Sequence, residues 1–195
     1  MDSSYARLMS VLADGGSAST LATGPYSYQC GTLPGSMCAL AEVQAKQLVL
    51  SRLDPEEGRG SEIARVSLGP GQINMTWAWA LSFDSTKIAI VDRSAQARML
   101  YVADARVVSL PVRGEKWGQL QTVGLSADGS LIFATAWSDG SNALISIDSL
   151  GNPQVLEQVH GSQAWLCCPV PSPNGRFLAF EKRTYENNVV MLENF

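Results

Sequence analysis

The chain has 195 residues, 46% of them apolar and 16% charged, with 17 glycines and 9 prolines. That length suits one globular domain with a sizeable buried core. A formal net charge of −4, with the few basic residues scattered, argues against a dedicated nucleic-acid surface.

No stretch reaches the roughly 18 apolar residues that a membrane-crossing helix needs. Residues 1–16 have no basic leading region and only a short apolar patch at 8–13, so no signal peptide is expected. The compartment stays open: cytoplasmic as the chain stands, extracytoplasmic if it belongs to a membrane-anchored regulator. Four cysteines are too few for a disulfide scaffold and lack paired zinc-ligand spacing. No metal or cofactor is expected.

In chain order, the first element is a pair of short strands within 7–23. A unit at 26–68 follows, opened by Tyr26 and Tyr28. It contains a worn turn-plus-strand, Thr32-Leu33-Pro34-Gly35-Ser36-Met37-Cys38-Ala39-Leu40. The next unit, 77–112, is opened by Trp77 and Trp79 and runs through Ser82-Phe83-Asp84-Ser85 into Ile88-Ala89-Ile90-Val91. The unit at 119–159, preceded by Trp117, carries the clearest copy: Ser126-Ala127-Asp128-Gly129-Ser130 running into Leu131-Ile132-Phe133-Ala134. The last, 164–193, opens at Trp165 and repeats it as Ser172-Pro173-Asn174-Gly175-Arg176-Phe177-Leu178-Ala179-Phe180.

Aligned on Thr32, Ser82, Ser126 and Ser172, the copies lie 50, 44 and 46 residues apart. Short β-branched runs bounded by Gly, Pro, Asn and Asp, at that period, predict an all-β propeller of four-stranded antiparallel blades. About four blades are present as a single domain: a partial blade at 1–23, full blades at 26–68, 77–112 and 119–159, and an incomplete blade at 164–195. A blade buries its faces only against neighbours, so the inventory predicts a partial or open ring. The true start of the chain is left open.

The Ser-x-Asp-Gly-x-Leu-x-Phe-type units resemble the TolB-like (WD-repeat-like) six-bladed propellers of bacteria, most closely from Cys30 to Phe195. Ser36-Met37-Cys38-Ala39-Leu40-Ala41-Glu42, the strand at 48–53, Asp54-Pro55-Glu56-Glu57-Gly58-Arg59-Gly60 and the ending Met191-Leu192-Glu193-Asn194-Phe195 are similar to one group. In it, propellers form the sensor-like region C-terminal to bacterial serine/threonine kinases and winged-helix regulators. The resemblance implies a binding module within a larger signalling protein. The chain itself carries no kinase loop or recognition helix.

Catalysis is not expected. His160 is the single histidine and reads as an exposed loop residue, and no Gly-x-Ser-x-Gly elbow occurs. Asp84, Asp128 and Asn174 read as turn residues that bond their own backbone. The acidic stretch 54–62 reads as a solvated loop without the ligand alternation of a calcium loop. Cys30 and Cys38 flank Leu33-Pro34-Gly35, a register that would set them opposite one another within disulfide reach; the alternative is two small buried hydrophobes. Cys167 and Cys168, adjacent in a strand, are expected to point to opposite faces and share no chemistry.

The candidate ligand-binding residues are aromatic and amide side chains at the upstream ends of the innermost strands: Tyr26, Tyr28, Trp77, Trp79, Trp117, Gln119 and Trp165. There they could wall the mouth of a central channel, or wedge between blades. The expected partners are a protein, peptide or small ligand at the channel, the rest of the ring, or an upstream kinase or regulator domain. A second functional reading is the accessory propeller of a hydrolase whose catalytic domain lies elsewhere.

Overall fold

The computed structural model describes residues 7–69, 78–114, 117–138, 140–161 and 164–184. All regular structure among them is β. Strands β1 (Arg7–Ser10) and β2 (Ser19–Thr23) form a two-stranded sheet. Three four-stranded antiparallel meanders follow. The first is β3 (Tyr26–Cys30), β4 (Cys38–Gln44), β5 (Gln47–Asp54) and β6 (Gly58–Ser67). The second is β7 (Trp79–Leu81), β8 (Lys87–Val91), β9 (Gln96–Tyr101) and β10 (Arg106–Pro111). The third is β11 (Gln119–Leu125), β12 (Ile132–Ser138), β13 (Ser141–Ile147) and β14 (Pro153–His160). A two-stranded sheet of β15 (Ala164–Pro171) and β16 (Leu178–Thr184) ends the series. The part of the expected incomplete blade beyond 184 lies outside the described residues, as does Trp77.

Numbered as blades from the first (β1–β2) through the second (β3–β6), third (β7–β10) and fourth (β11–β14) to the last (β15–β16), the sheets stack around a common axis. The first strand of each blade touches the first strand of the next: β3 lies beside β7, β7 beside β11 and β11 beside β15. Each of these is the innermost strand, and the arc they trace is open. The stacking explains why the second strands read as unbroken apolar runs instead of alternating. On β8, Ile88 and Ile90 pack toward the preceding blade with Ala39, Leu48 and Leu50. Ala89 and Val91 pack toward the following blade with Leu120, Ile132 and Ala134. A strand buried on both faces has no polar side.

The repeated turn closes the first hairpins of the β7–β10, β11–β14 and β15–β16 sheets by one hydrogen-bond pattern. Ser82, Ser126 and Ser172 each donate Oγ to Oδ1 of the residue two positions on, at 2.7, 2.6 and 2.7 Å. Each serine Oγ also accepts the amide five positions on, from Lys87, Leu131 and Phe177. Ser85, Gly129 and Gly175 stand at equivalent places with φ of 60, 64 and 68°, the left-handed conformation that glycine adopts without steric cost. Asp-Ser and Asn-Gly therefore build the same turn as Asp-Gly.

Asp54, Asp104 and Asp148 play a parallel part at the third-to-fourth hairpins, accepting amides of Glu56, Arg106 and Leu150. The acidic segment at 54–62 is accordingly no long loop: β6 begins at Gly58, which pairs with Asp54. His160 is also not in a loop but is the exposed last residue of β14, opposite Ser141.

A concave wall along the innermost strands

The innermost strands present two regions, and the sequence-derived candidates occupy the upstream one. Trp79 is wholly buried among Leu48, Leu50, Ile88 and Leu100. Its indole N–H donates to Ser27 Oγ at 2.6 Å, tying the second blade to the third. Trp117 is buried in the core shared by the sheets of β7–β10 and β11–β14. These two rings wedge blades together, the alternative that the sequence left open, and cannot stack on a ligand in this arrangement.

Tyr28 and Gln119 are exposed, Tyr28 at 52%. Tyr26 is half-buried and donates its hydroxyl to the Ala22 carbonyl at 3.2 Å; partial burial raises its pKa. Trp165 is half-buried, its Nε1 3.3 Å from Gln121 Oε1 and its ring 5.3 Å from the Arg183 guanidinium. Tyr28, Gln119 and Trp165 thus keep surface that a ligand could touch.

Farther along the same strands lies a cavity of about 190 Å³. Ala80, Leu81 and Phe83 line it from the third blade, Val123, Gly124 and Leu125 from the fourth, and 168–171 from the last. Gln29 reaches in from β3, but both ends of its amide are engaged: Nε2 donates to the Trp79 carbonyl at 2.8 Å and Oε1 accepts Leu81 N–H at 2.9 Å. The wall is consequently apolar, suited to hydrophobic or aromatic groups rather than to ions. Trp79, whose backbone carbonyl takes the Gln29 amide, also borders the cavity and is the one sequence-derived candidate that does. Phe83 was readable as a turn residue and Val123 and Val170 as blade residues, but nothing local marked them as facing the axis.

The cysteines complete this region. Cys30 and Cys38 pair across β3 and β4 and are disulfide-bonded. Cys167 and Cys168 are also bonded to each other, which corrects the opposite-faces expectation. The reason is a β-bulge. Pairing steps from Cys167–Glu181 to Val170–Ala179, so two residues of β15 oppose one of β16. Cys168 takes φ of 63°, which ends the alternation and turns its side chain back toward Cys167. Its amide donates to Thr122 Oγ1 at 3.3 Å, and Thr122 is itself bonded to the buried Thr135 hydroxyl at 2.7 Å. Among the described residues, Cys167, Cys168 and Glu181 are the one group of three metal-type ligands that comes together.

The turn aspartates are not poised for acid–base work. Hydrogen bonds from the Ser126 hydroxyl and from the Ser130 amide and hydroxyl hold Asp128 at a pKa of about 2. Burial pushes Asp84 up, but bonds from Ser82 and Thr86 outweigh it and leave its pKa lowered. Asp148 is lowered by the Asn152 side chain and amide. A second cleft, of about 280 Å³, opens between the third and fourth blades beside Lys87, Tyr101 and Asp148; Lys87 Nζ already donates to the Gly129 carbonyl at 3.0 Å.

No protein-family model matches the chain. No curated protein matches it either. Among solved structures, TolB from Acinetobacter baumannii is similar with a TM-score of 0.63 and 15% identity, over 93% of this chain and 44% of that one. An oligogalacturonate lyase in complex with manganese gives 0.58 and 17%, over 90% and 52%. The tricorn protease gives 0.52 and 9%, over 84% and 16%. At such identities the likeness shows the fold, a TolB-like β-propeller. The chain spans less than two thirds of each of these structures.

Proposed function

We propose that the chain is a non-catalytic propeller module that binds a peptide, a protein segment or a small apolar ligand along its concave wall, as part of a larger bacterial signalling or regulatory protein. The observation that carries this reading is the apolar cavity on the innermost strands. Its one polar side chain, Gln29, is spent on holding two blades together. Such a wall offers shape and apolar area, the currency of binding, and no activated nucleophile or base. Tyr28, Gln119 and Trp165, upstream on the same strands, would extend the contact toward the channel mouth.

The experiment is backbone-amide chemical-shift mapping on the full chain against a mixed library of aromatic fragments and apolar peptides. Shifts are expected at Phe83, Val123 and Val170, and Tyr28→Ala or Trp165→Ala should weaken the best binder about tenfold while the melt stays cooperative. Shifts confined to the cleft beside Lys87, Tyr101 and Asp148 would move the site elsewhere. The likeness to the tricorn protease favours a second reading, an accessory propeller of a peptidase. On that reading the same wall would respond to extended peptides and not to fragments.

A further inference from the structure

We propose that Cys167, Cys168 and Glu181 form a soft-metal site, for an ion of the zinc or cadmium class, that opens when the Cys167–Cys168 disulfide is reduced. Three observations lead there. First, the bulge in β15 and the left-handed backbone of Cys168 put two consecutive sulfurs on one side of the strand, where regular alternation would have separated them. Second, Glu181 is the cross-strand partner of Cys167, and its carboxylate oxygen and the two sulfurs all lie within 4.8 Å of one another. Metal–sulfur bonds near ~2.3 Å and metal–oxygen bonds near ~2.0 Å bring the donors of one ion within ~4.3 Å of one another, so a small side-chain movement once the sulfurs part lets the three share it. Third, the site can be reached: Cys167 is buried, but Cys168 lines the channel cavity and Glu181 is half-buried.

The chemistry balances without an unnamed reactant. A dithiol reductant delivers two electrons and two protons, its own sulfurs join, and the Cys167–Cys168 bond becomes two thiols. A divalent ion then displaces both thiol protons and binds two thiolates and the Glu181 carboxylate, leaving a fourth position for water or a ligand on the channel side. Thiolate donors select zinc-class ions over calcium or magnesium. Arg183 donates a hydrogen bond to the Glu181 carboxylate, which turns from that bond toward the ion. A disulfide oxidant reverses this: it takes up the two electrons and two protons and leaves as two thiols, the Cys167–Cys168 bond re-forms, and the ion loses two of its three ligands.

The test titrates Cd2+ into the full chain after reduction and anaerobic desalting, reading thiolate-to-cadmium charge-transfer absorption, with Zn2+ as competitor. Cys168→Ser should lose one equivalent of bound ion, Cys30→Ser should keep it, and Glu181→Gln should weaken it about tenfold or more. The unmutated chain gives a second readout that no folding defect can confuse. Bound Zn2+ should protect Cys167 and Cys168 from alkylation, mapped by peptide mass, and leave Cys30 and Cys38 reactive. Equal binding by Cys168→Ser, unchanged affinity in Glu181→Gln, or protection of Cys30 and Cys38 instead would overturn the site.

Discussion

The third and fourth blades and the final sheet are built from one repeat, yet they bury it differently. Ile88, Ile132 and Leu178 stand at the same place after the turn. The first two are fully enclosed, whereas Leu178 is half-buried. Two positions on, Ile90 and Ala134 have no exposed surface, while Phe180 is 40% exposed. β8 and β12 have a packed blade on each side; the described contacts of β16 run chiefly to β15. The turn and the apolar run are local properties, but enclosure is conferred by neighbours. That is the rule of a stacked array, in which stability is a sum over interfaces as much as over units.

The comparison breaks most visibly by truncation at equivalent positions. Ile132→Ala should cost about 3 kcal/mol, the usual toll of a buried branched residue, and Leu178→Ala less than about 1.5, both by chemical denaturation. Equal losses would mean that the last sheet is as enclosed as the inner ones. Next comes the seam between the fourth blade and the final sheet. A β-carbon on Gly124 would meet the Pro169 carbonyl oxygen at 2.4 Å, so Gly124→Ala should destabilise by about 2 kcal/mol and raise exchange in β15 more than in β8.

The smallest effect separates the turns themselves. Asp128 sits at about 2, below its ordinary 3.8, so its contribution is complete above about pH 4 and is lost as pH falls through about 2. Asp128→Asn should flatten the acid limb of the melting profile, by less than about 1 kcal/mol because the group is exposed. The neutral Asn174 makes the equivalent bonds, to Ser172 and to Arg176 N–H, so Asn174→Ala should leave that limb unaltered.

Much of this was legible in the residues, because the turn is a local device. A serine that both donates to an acceptor two residues on and takes an amide five residues on needs only its own segment, and so the period of the repeat is visible. Whether Trp79 faces a ligand or a neighbour depends on Ser27, 52 positions away, and no local pattern encodes that distance. The cavity was illegible for the same reason. The bulge was closer to hand: Pro169 and Pro171 within a strand-like run point to an interrupted ladder, since proline cannot donate to one. Read that way, Cys167 and Cys168 need not alternate.

The central claim, that neighbours and not the repeat itself determine enclosure, is tested most directly by amide hydrogen exchange resolved to single residues. Slow exchange is expected for Ile88, Ile90, Ile132 and Ala134, with amides at 178–180 exchanging at least about tenfold faster. Equal protection of 178–180 and 132–134 would contradict it.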